Sequence, residues 1–177
     1  MQLGDKRPRS AVSRVSAACL VSGETLSTQI KGIWKEHACD VVVLKKPGNL
    51  DRLLELTESN MKKMYEQCPG WGWSLDKKRQ EFLHPDSRFI VCSYPNGDLM
   101  GFVHFRFEVS DQHEQEHPEI YLWEIQLASQ SRGQGVGSKL MQSVQVLAKL
   151  HCMKQVTLTV FEGKSKSTTE ILILDRK

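Results

Sequence analysis

The chain has 177 residues, of which 40% are hydrophobic and 25% charged, and carries a net charge of +3. That length suits one globular domain with a core of its own, and so mild a basic balance argues against a nucleic-acid binder, which would show a concentrated cationic face. No apolar run approaches the length of a bilayer span, and the cysteines (Cys19, Cys39, Cys68, Cys92, Cys152) are scattered and never spaced as CxxC, which argues for reduced thiols in a cytosolic or nuclear protein and against a disulfide framework or a zinc site.

Residues 1–36 are rich in Ser and Arg and show no sustained hydrophobic period, so they are predicted to form a disordered arm. The arm's composition overlaps that of organelle transit peptides, and KRPR at 6–9 fits a short nuclear-import patch equally well. Order is expected to begin at CDVVVLKK, 39–46, where β-branched residues run together before a Pro-Gly break. LDRLLELTESNMKKMYEQC then places Leu50, Leu53, Leu54, Leu56, Thr57, Met61, Met64 and Tyr65 at mostly helical spacing, with Asn49 available as N-cap. After the aromatic loop GWGW, SLDKKRQEFL reads as a short charged helix capped by Ser74. Two strands, RFIVCSY and LMGFVHFRFEV, flank PNGD, whose Asn-Gly signals a hairpin. In the second, Phe102, His104, Arg106 and Glu108 alternate with Val103, Phe105, Phe107 and Val109, giving two faces, and His104 is expected to pack on its strand. His113 and His117, four apart in an acidic loop, are weak as a metal pair, so no metal is expected. A strand, IYLWEIQLA, a glycine-rich turn, an amphipathic helix, SKLMQSVQVLAKLH, and a strand, KQVTLTVF, complete the order β-α-α-β-β-β-α-β, an α/β domain with a mixed sheet.

Two features of this order bear on chemistry. SRGQGVGSKL, 131–140, sets three glycines at a strand-to-helix junction, where bare N–H groups and the helix dipole suit a phosphate, although a plain flexible loop has the same composition. Glu124 interrupts the apolar strand, and a lone carboxylate there is either a solvent-facing residue at the sheet's edge or a working group.

The turn Arg132-x-x-Gly135-x-Gly137 between a strand and a long helix resembles the signature of the acetyl-CoA-dependent GNAT N-acetyltransferases. Longer stretches, LTESNMKKMYEQ, WGW, FVHFRFEV, WEIQLASQSRGQGVGSKL and VTLTVF, resemble the N-alpha-acetyltransferase 40 (NatD) type, over roughly residues 50 to 162. That resemblance implies a mixed, mainly antiparallel sheet flanked by helices. It also implies acetyl transfer from acetyl-CoA to the N-terminal amine of histone H4 and the A-type histone H2, by a monomer of nucleus and cytoplasm that binds neither nucleic acid nor membrane directly. The cofactor would lie against Gln126, Leu127, Arg132, Gly133, Gln134, Gly135, Val136, Gly137 and Ser138, with Lys139 as a further cation. An α-amine has a pKa of about 7.7 to 8.0 and is mostly protonated at neutral pH, so a base helps, and the resemblance makes Glu124 that base. An amide of Ile125, Gln126 or Leu127 would face the developing oxyanion. Trp71, Tyr121 and Trp123 would wall a slot for the peptide, with Glu108 or the acids of 111–116 holding its arginine. Trp71 and Trp73 could equally plug the core, and the loop acids could merely solvate their loop. Trp123 stands where the family has Tyr, so a hydroxyl hydrogen bond is expected to be lost.

Residues 37–163 are thus predicted to form the acetyltransferase domain and 164–177 a divergent tail. Family members continue after this strand with an Asn-bearing helix and further strands, so the chain is expected to be C-terminally truncated. The fifth strand should then keep a bare edge, leaving the protein poorly stable and weakly active. Two other functions compete: a GNAT-like module that binds without turnover, and an acetyltransferase acting on a small-molecule amine.

Overall fold

A computed structural model describes residues 10–68, 70–110, 116–162 and 166–173, the side chains of the last two strands only as far as Val160. Among the described residues, six strands form one sheet in chain order. β1 (Asp40–Leu44), β2 (Arg88–Ser93), β3 (Leu99–Ser110) and β4 (His117–Leu127) are antiparallel neighbours. β5 (Gln155–Glu162) runs parallel to β4, and β6 (Lys166–Ile173) returns antiparallel along β5.

Both expected faces of β3 are used. On one, α3 (Leu50–Gln67) and α4 (Leu75–Phe82) bury Leu53, Leu54 and Phe82 against Phe89 and Phe102. On the other, Val103, Phe105 and Phe107 join Leu140, Val144 and Leu147 of α5 (Val136–Leu150). Both expected caps are present: Asn49 Oδ1 accepts the Arg52 N–H at 3.4 Å, and Ser74 Oγ accepts the Lys77 N–H at 3.3 Å. Between β2 and β3, Tyr94 O accepts the Gly97 N–H at 2.8 Å and Gly97 takes φ +87°, a three-residue hairpin loop.

The N-terminal segment departs from expectation. Of the arm expected to be disordered over 1–36, residues 1–9, KRPR among them, lie outside the described residues; over the rest, α1 (Ala11–Leu20), α2 (Gly23–Ile30) and a 3-10 turn, Lys31–Trp34, pack on the α5 face, burying Ala18, Leu26, Ile30 and Trp34. Ser10 and Ser22 cap the helices by accepting from the N–H groups of Ser13 and Thr25. The segment reads as polar because small Ala and Ser contribute little hydrophobicity, yet Ala is the best helix former and Val15, Ala18 and Cys19 share a stripe. Trp34 Nε1–H reaches Ser143 Oγ on α5 at 2.9 Å, in the core. Trp34→Phe should therefore lower the free energy of unfolding by about 1–2 kcal/mol, read by urea titration. A docked segment gives that loss, and an undocked one gives none.

The C-terminal end also departs from expectation. Residues 166–173, assigned to a divergent tail, form β6, and its register with β5 runs from Gln155↔Ile173 to Glu162↔Lys166. The edge of β5 is therefore paired along its length.

β4 positions the site through one irregularity. Its register with β3 slips between His104↔Glu124 and Phe105↔Leu122, so Trp123 is an extra residue on β4. A bulge reverses which residues face which side. Ile120 and Leu122 before it, and Ile125 and Leu127 after it, all pack on the α5 face. Tyr121, Trp123, Glu124 and Gln126 are thereby gathered toward α3 and α4.

Candidate active site

The bulge has a second effect. β4 pairs with β5 only from Glu119↔Gln155 to Leu122↔Leu158, after which the two strands part. Ala128 N–H donates to Met100 O at 3.0 Å, and an antiparallel ladder alternates, so Gln126 and Glu124 also spend their backbone groups on β3. The amides of Ile125 and Leu127 point the other way, into the gap between β4 and β5. Gln126, expected beside the cofactor, thus presents no amide to that gap.

Where the strands part lies a cavity of about 330 Å³. Tyr121 and Trp123 of β4, Thr159 of β5, Tyr65 of α3, Trp71 and Trp73 of the aromatic loop, and Lys78 and Glu81 of α4 line it. Trp71 and Trp73 do not plug the core: Trp71 is 46% exposed, and Trp73 donates its indole N–H to Glu58 at 3.1 Å. Both rings meet Tyr65 edge-on, at 5.8 and 5.6 Å. Tyr121 closes the wall toward β5 through a 2.7 Å hydrogen bond between its hydroxyl and Thr159.

Glu124 lies behind this wall. It is buried, with Oε1 accepting from Lys78 Nζ at 2.8 Å and Oε2 from Gln126 Nε2 at 2.8 Å. Lys78, itself buried, separates it from the cavity and also donates to Glu81 Oε2 at 2.6 Å. Burial works against the charge of Lys78, but the Glu124 carboxylate, with Tyr65 and Glu81, outweighs it and holds the pKa above the ordinary lysine value. Lys78 therefore stays charged and is no base. Burial, and next the Glu124 carboxylate, push the Tyr65 phenol up, so it stays protonated.

Glu108 has one oxygen, Oε1, engaged by its neighbours. It accepts the Trp123 indole N–H at 3.2 Å and sits 4.0 Å from the Arg106 guanidinium, which stacks over the Trp123 ring at 4.3 Å. Trp123, which lacks a hydroxyl, donates its ring N–H to Glu108, whose side chain is about a third exposed. Of the loop acids only Glu116 lies within the described residues, and His113 lies outside them. His117 stands 3.9 Å from Glu119.

His104 packs, as expected: it is fully buried, stacked on Phe89 at 4.7 Å and bonded to Ser87 Oγ at 2.8 Å. Burial first, then the charges of Arg106, Lys78 and His84, push its pKa down to about 2. An unfolded histidine titrates near 6.5, so the unfolded state binds the extra proton between these values. The neutral ring's stabilisation is complete above pH 6.5 and is lost as pH falls toward 2. His104→Gln should remove this loss: the gap between the unfolding free energies of parent and variant stays constant above pH 7 and changes by up to about 1.4 kcal/mol per pH unit below 6. A pH-independent gap contradicts the assignment.

At the other end of β4, Gly133 and Gly135 take φ +74° and +78°, a left-handed region costly to other residues. A Cβ at either would meet nothing within 4 Å, so the turn is open on its outer side. Gly135 caps α5 without a side-chain hydrogen bond, and no acidic residue occupies the first turn, leaving the N–H groups of Val136, Gly137 and Ser138 as helix-end donors. Arg132 Nη2 donates to Asn60 Oδ1 at 2.7 Å and to Leu127 O at 3.4 Å. These donors and the amides of Ile125 and Leu127 fit an anionic, amide-bearing cofactor such as acetyl-CoA. Tyr65, Lys78, Glu81 and Asn60 were not among the site residues read from sequence.

The Acetyltransferase (GNAT) family profile matches residues 50–168. Solved structures similar to this chain include a putative acetyl transferase from Pyrococcus furiosus, at 15% identity and TM-score 0.54 over 70% of this chain and 85% of that one. NAA60 from Arabidopsis thaliana, solved with a bisubstrate analogue, matches at 14% identity and TM-score 0.53 over 70% and 77%. A GNAT-family acetyltransferase from Staphylococcus aureus matches at 12% identity and TM-score 0.50 over 69% and 74%. These likenesses show the fold, and with the profile covering more than half of the sequence, this chain belongs to the GNAT acetyltransferase family.

Proposed function

We propose that the chain is a protein N-terminal acetyltransferase that acts on the α-amine of histone H4 and the A-type histone H2, as a monomer of nucleus and cytoplasm. The observation that carries this reading is the gap between β4 and β5, bounded by the glycine turn at one end and the aromatic cavity at the other. The resemblance of residues 50 to 162 to the NatD type supports the choice of acceptor. Acetyl-CoA supplies the acetyl group as an activated thioester. Gly133 to Ser138 receive its pyrophosphate through main-chain donors, and the Ile125 or Leu127 amide faces the carbonyl oxygen. Tyr65, Trp71, Tyr121 and Trp123 confine the peptide end, while Glu81 at the cavity wall attracts the incoming ammonium. Glu124 takes one amine proton through an intervening water, with Lys78 and Gln126 fixing its two oxygens; the freed amine nitrogen bonds the acetyl carbon as the carbon–sulfur bond breaks, and the second proton it sheds goes to the departing CoA sulfur.

A competition assay tests the acceptor. Incubated with acetyl-CoA, the full chain should acetylate an H4 N-terminal peptide with a kcat/KM at least about a hundredfold above that for spermidine, and should ignore the same peptide with its α-amine blocked. Preference for spermidine, or equal use of the blocked peptide, contradicts the reading.

A further inference from the structure

Asn60 projects from the buried stripe of α3 that Leu53 and Thr57 begin, a polar residue where the helix faces the sheet. One amide there bonds three residues, two of β4 and one of the glycine turn. Its Nδ2 donates to Gln126 Oε1 at 3.0 Å and to Leu127 O at 3.1 Å, while its Oδ1 accepts from Arg132 at 2.7 Å. Gln126 passes the chain on, donating from Nε2 to Glu124 Oε2 at 2.8 Å. Each donor therefore points the same way, from Arg132 through Asn60 and Gln126 to the carboxylate, where Lys78 meets it from the other side.

The direction matters because an amide has one donor end and one acceptor end. While Asn60 offers N–H groups to Gln126, the Gln126 amide must turn its own N–H groups toward Glu124. Were Asn60 an acceptor there, Gln126 would either oppose two oxygens or flip and set its carbonyl against the carboxylate. Asn60 also holds the carbonyl of Leu127, whose amide faces the gap, and so fixes the last residue of β4 relative to the glycine turn.

We propose that Asn60 is a positioning residue that joins the cofactor turn to Glu124: it holds Arg132 over the turn and, through Gln126, fixes the oxygen of Glu124 that Lys78 does not. This rests on the acetyl-transfer reading of the site. It adds that the two halves of the site, 72 positions apart in sequence between Asn60 and Arg132, are held by one side chain.

Two double-mutant cycles on the full chain test it. The first measures acetyl-CoA binding by calorimetry for parent, Asn60→Ala, Arg132→Ala and the double variant. Arg132→Ala should weaken binding about tenfold when Asn60 is present and less than about threefold when it is absent, because a guanidinium no longer held contributes little. The second pairs Asn60→Ala with Glu124→Gln and reads turnover of an H4 N-terminal peptide. Asn60→Ala should lower kcat at least about tenfold with peptide KM within about twofold, and should cost less than about threefold once Glu124 is already Gln. If Asn60→Ala fails to fold, Asn60→Asp, of equal shape but unable to donate to Gln126 or Leu127, replaces it in the second cycle, and Asn60→Leu, of similar size but unable to accept from Arg132, replaces it in the first. Additive effects in either cycle overturn the proposal. The first cycle needs no acceptor, so a parent that shows the coupling yet leaves the peptide unmodified overturns the histone reading alone. A parent that binds no acetyl-CoA overturns both.

Discussion

Glu124→Gln should lower turnover about a hundredfold or more while leaving acetyl-CoA affinity within about twofold of the parent. The substitution keeps the shape of a side chain that is 5% exposed and removes its capacity to take a proton. It also removes the negative charge that Lys78 answers at 2.8 Å, but Glu81 remains 2.6 Å from the same ammonium, so the lysine keeps a partner and the fold should survive. Steady-state kinetics with an H4 N-terminal peptide and calorimetry with acetyl-CoA separate the two quantities. Unchanged turnover would mean that Glu124 is a structural counter-ion to Lys78 and that the proton leaves by another route.

Gly135→Glu should weaken acetyl-CoA binding by about a hundredfold. Gly135 sits at φ +78° with open space where a Cβ would be, so the new Cβ meets no neighbour and the backbone cost is the roughly 1–2 kcal/mol of a left-handed non-glycine residue. The loss in affinity comes from a carboxylate set beside a pyrophosphate at the start of α5, where the helix end had offered partial positive charge. Gly135→Ala carries the same backbone cost without the charge and should lose less than about tenfold. If the glutamate variant is folded and binds acetyl-CoA as tightly as the parent, the glycines form a loop and nothing more.

Much of this arrangement is legible in the sequence because local signals agree with one another. Asn49 and Ser74 cap the helices that follow them, the alternation of 102–109 gives the two faces of β3, and the glycine turn lies between β4 and α5. The bulge could also have been found there: in IYLWEIQL the apolar positions are Ile120 and Leu122, then Ile125 and Leu127, a change of phase that only an extra residue accommodates. Lys78 could not. It stands in a run of three cations, Lys77, Lys78 and Arg79, and which of them is buried depends on how α4 sits against β4, four residues before buried Phe82. Asn60 is hidden for the same reason, since a polar residue on an amphipathic stripe declares its role only when the strand beneath it is in place. The N-terminal helices are not legible because their buried residues, Ala18, Leu26 and Ile30, are few and widely spaced, and their stability comes from contact with a sheet formed far along the chain.

As proposed, the site between β4 and β5 transfers acetyl to a peptide's terminal amine. Tandem mass spectrometry of an H4 N-terminal peptide, after incubation with the full chain and acetyl-CoA, tests it most directly. One added acetyl group is expected on the α-amine of the first residue, absent when the Glu124→Gln variant replaces the parent at equal concentration and time. An acetyl group on a lysine side chain, or none on a peptide exposed to folded parent that binds acetyl-CoA, would contradict it.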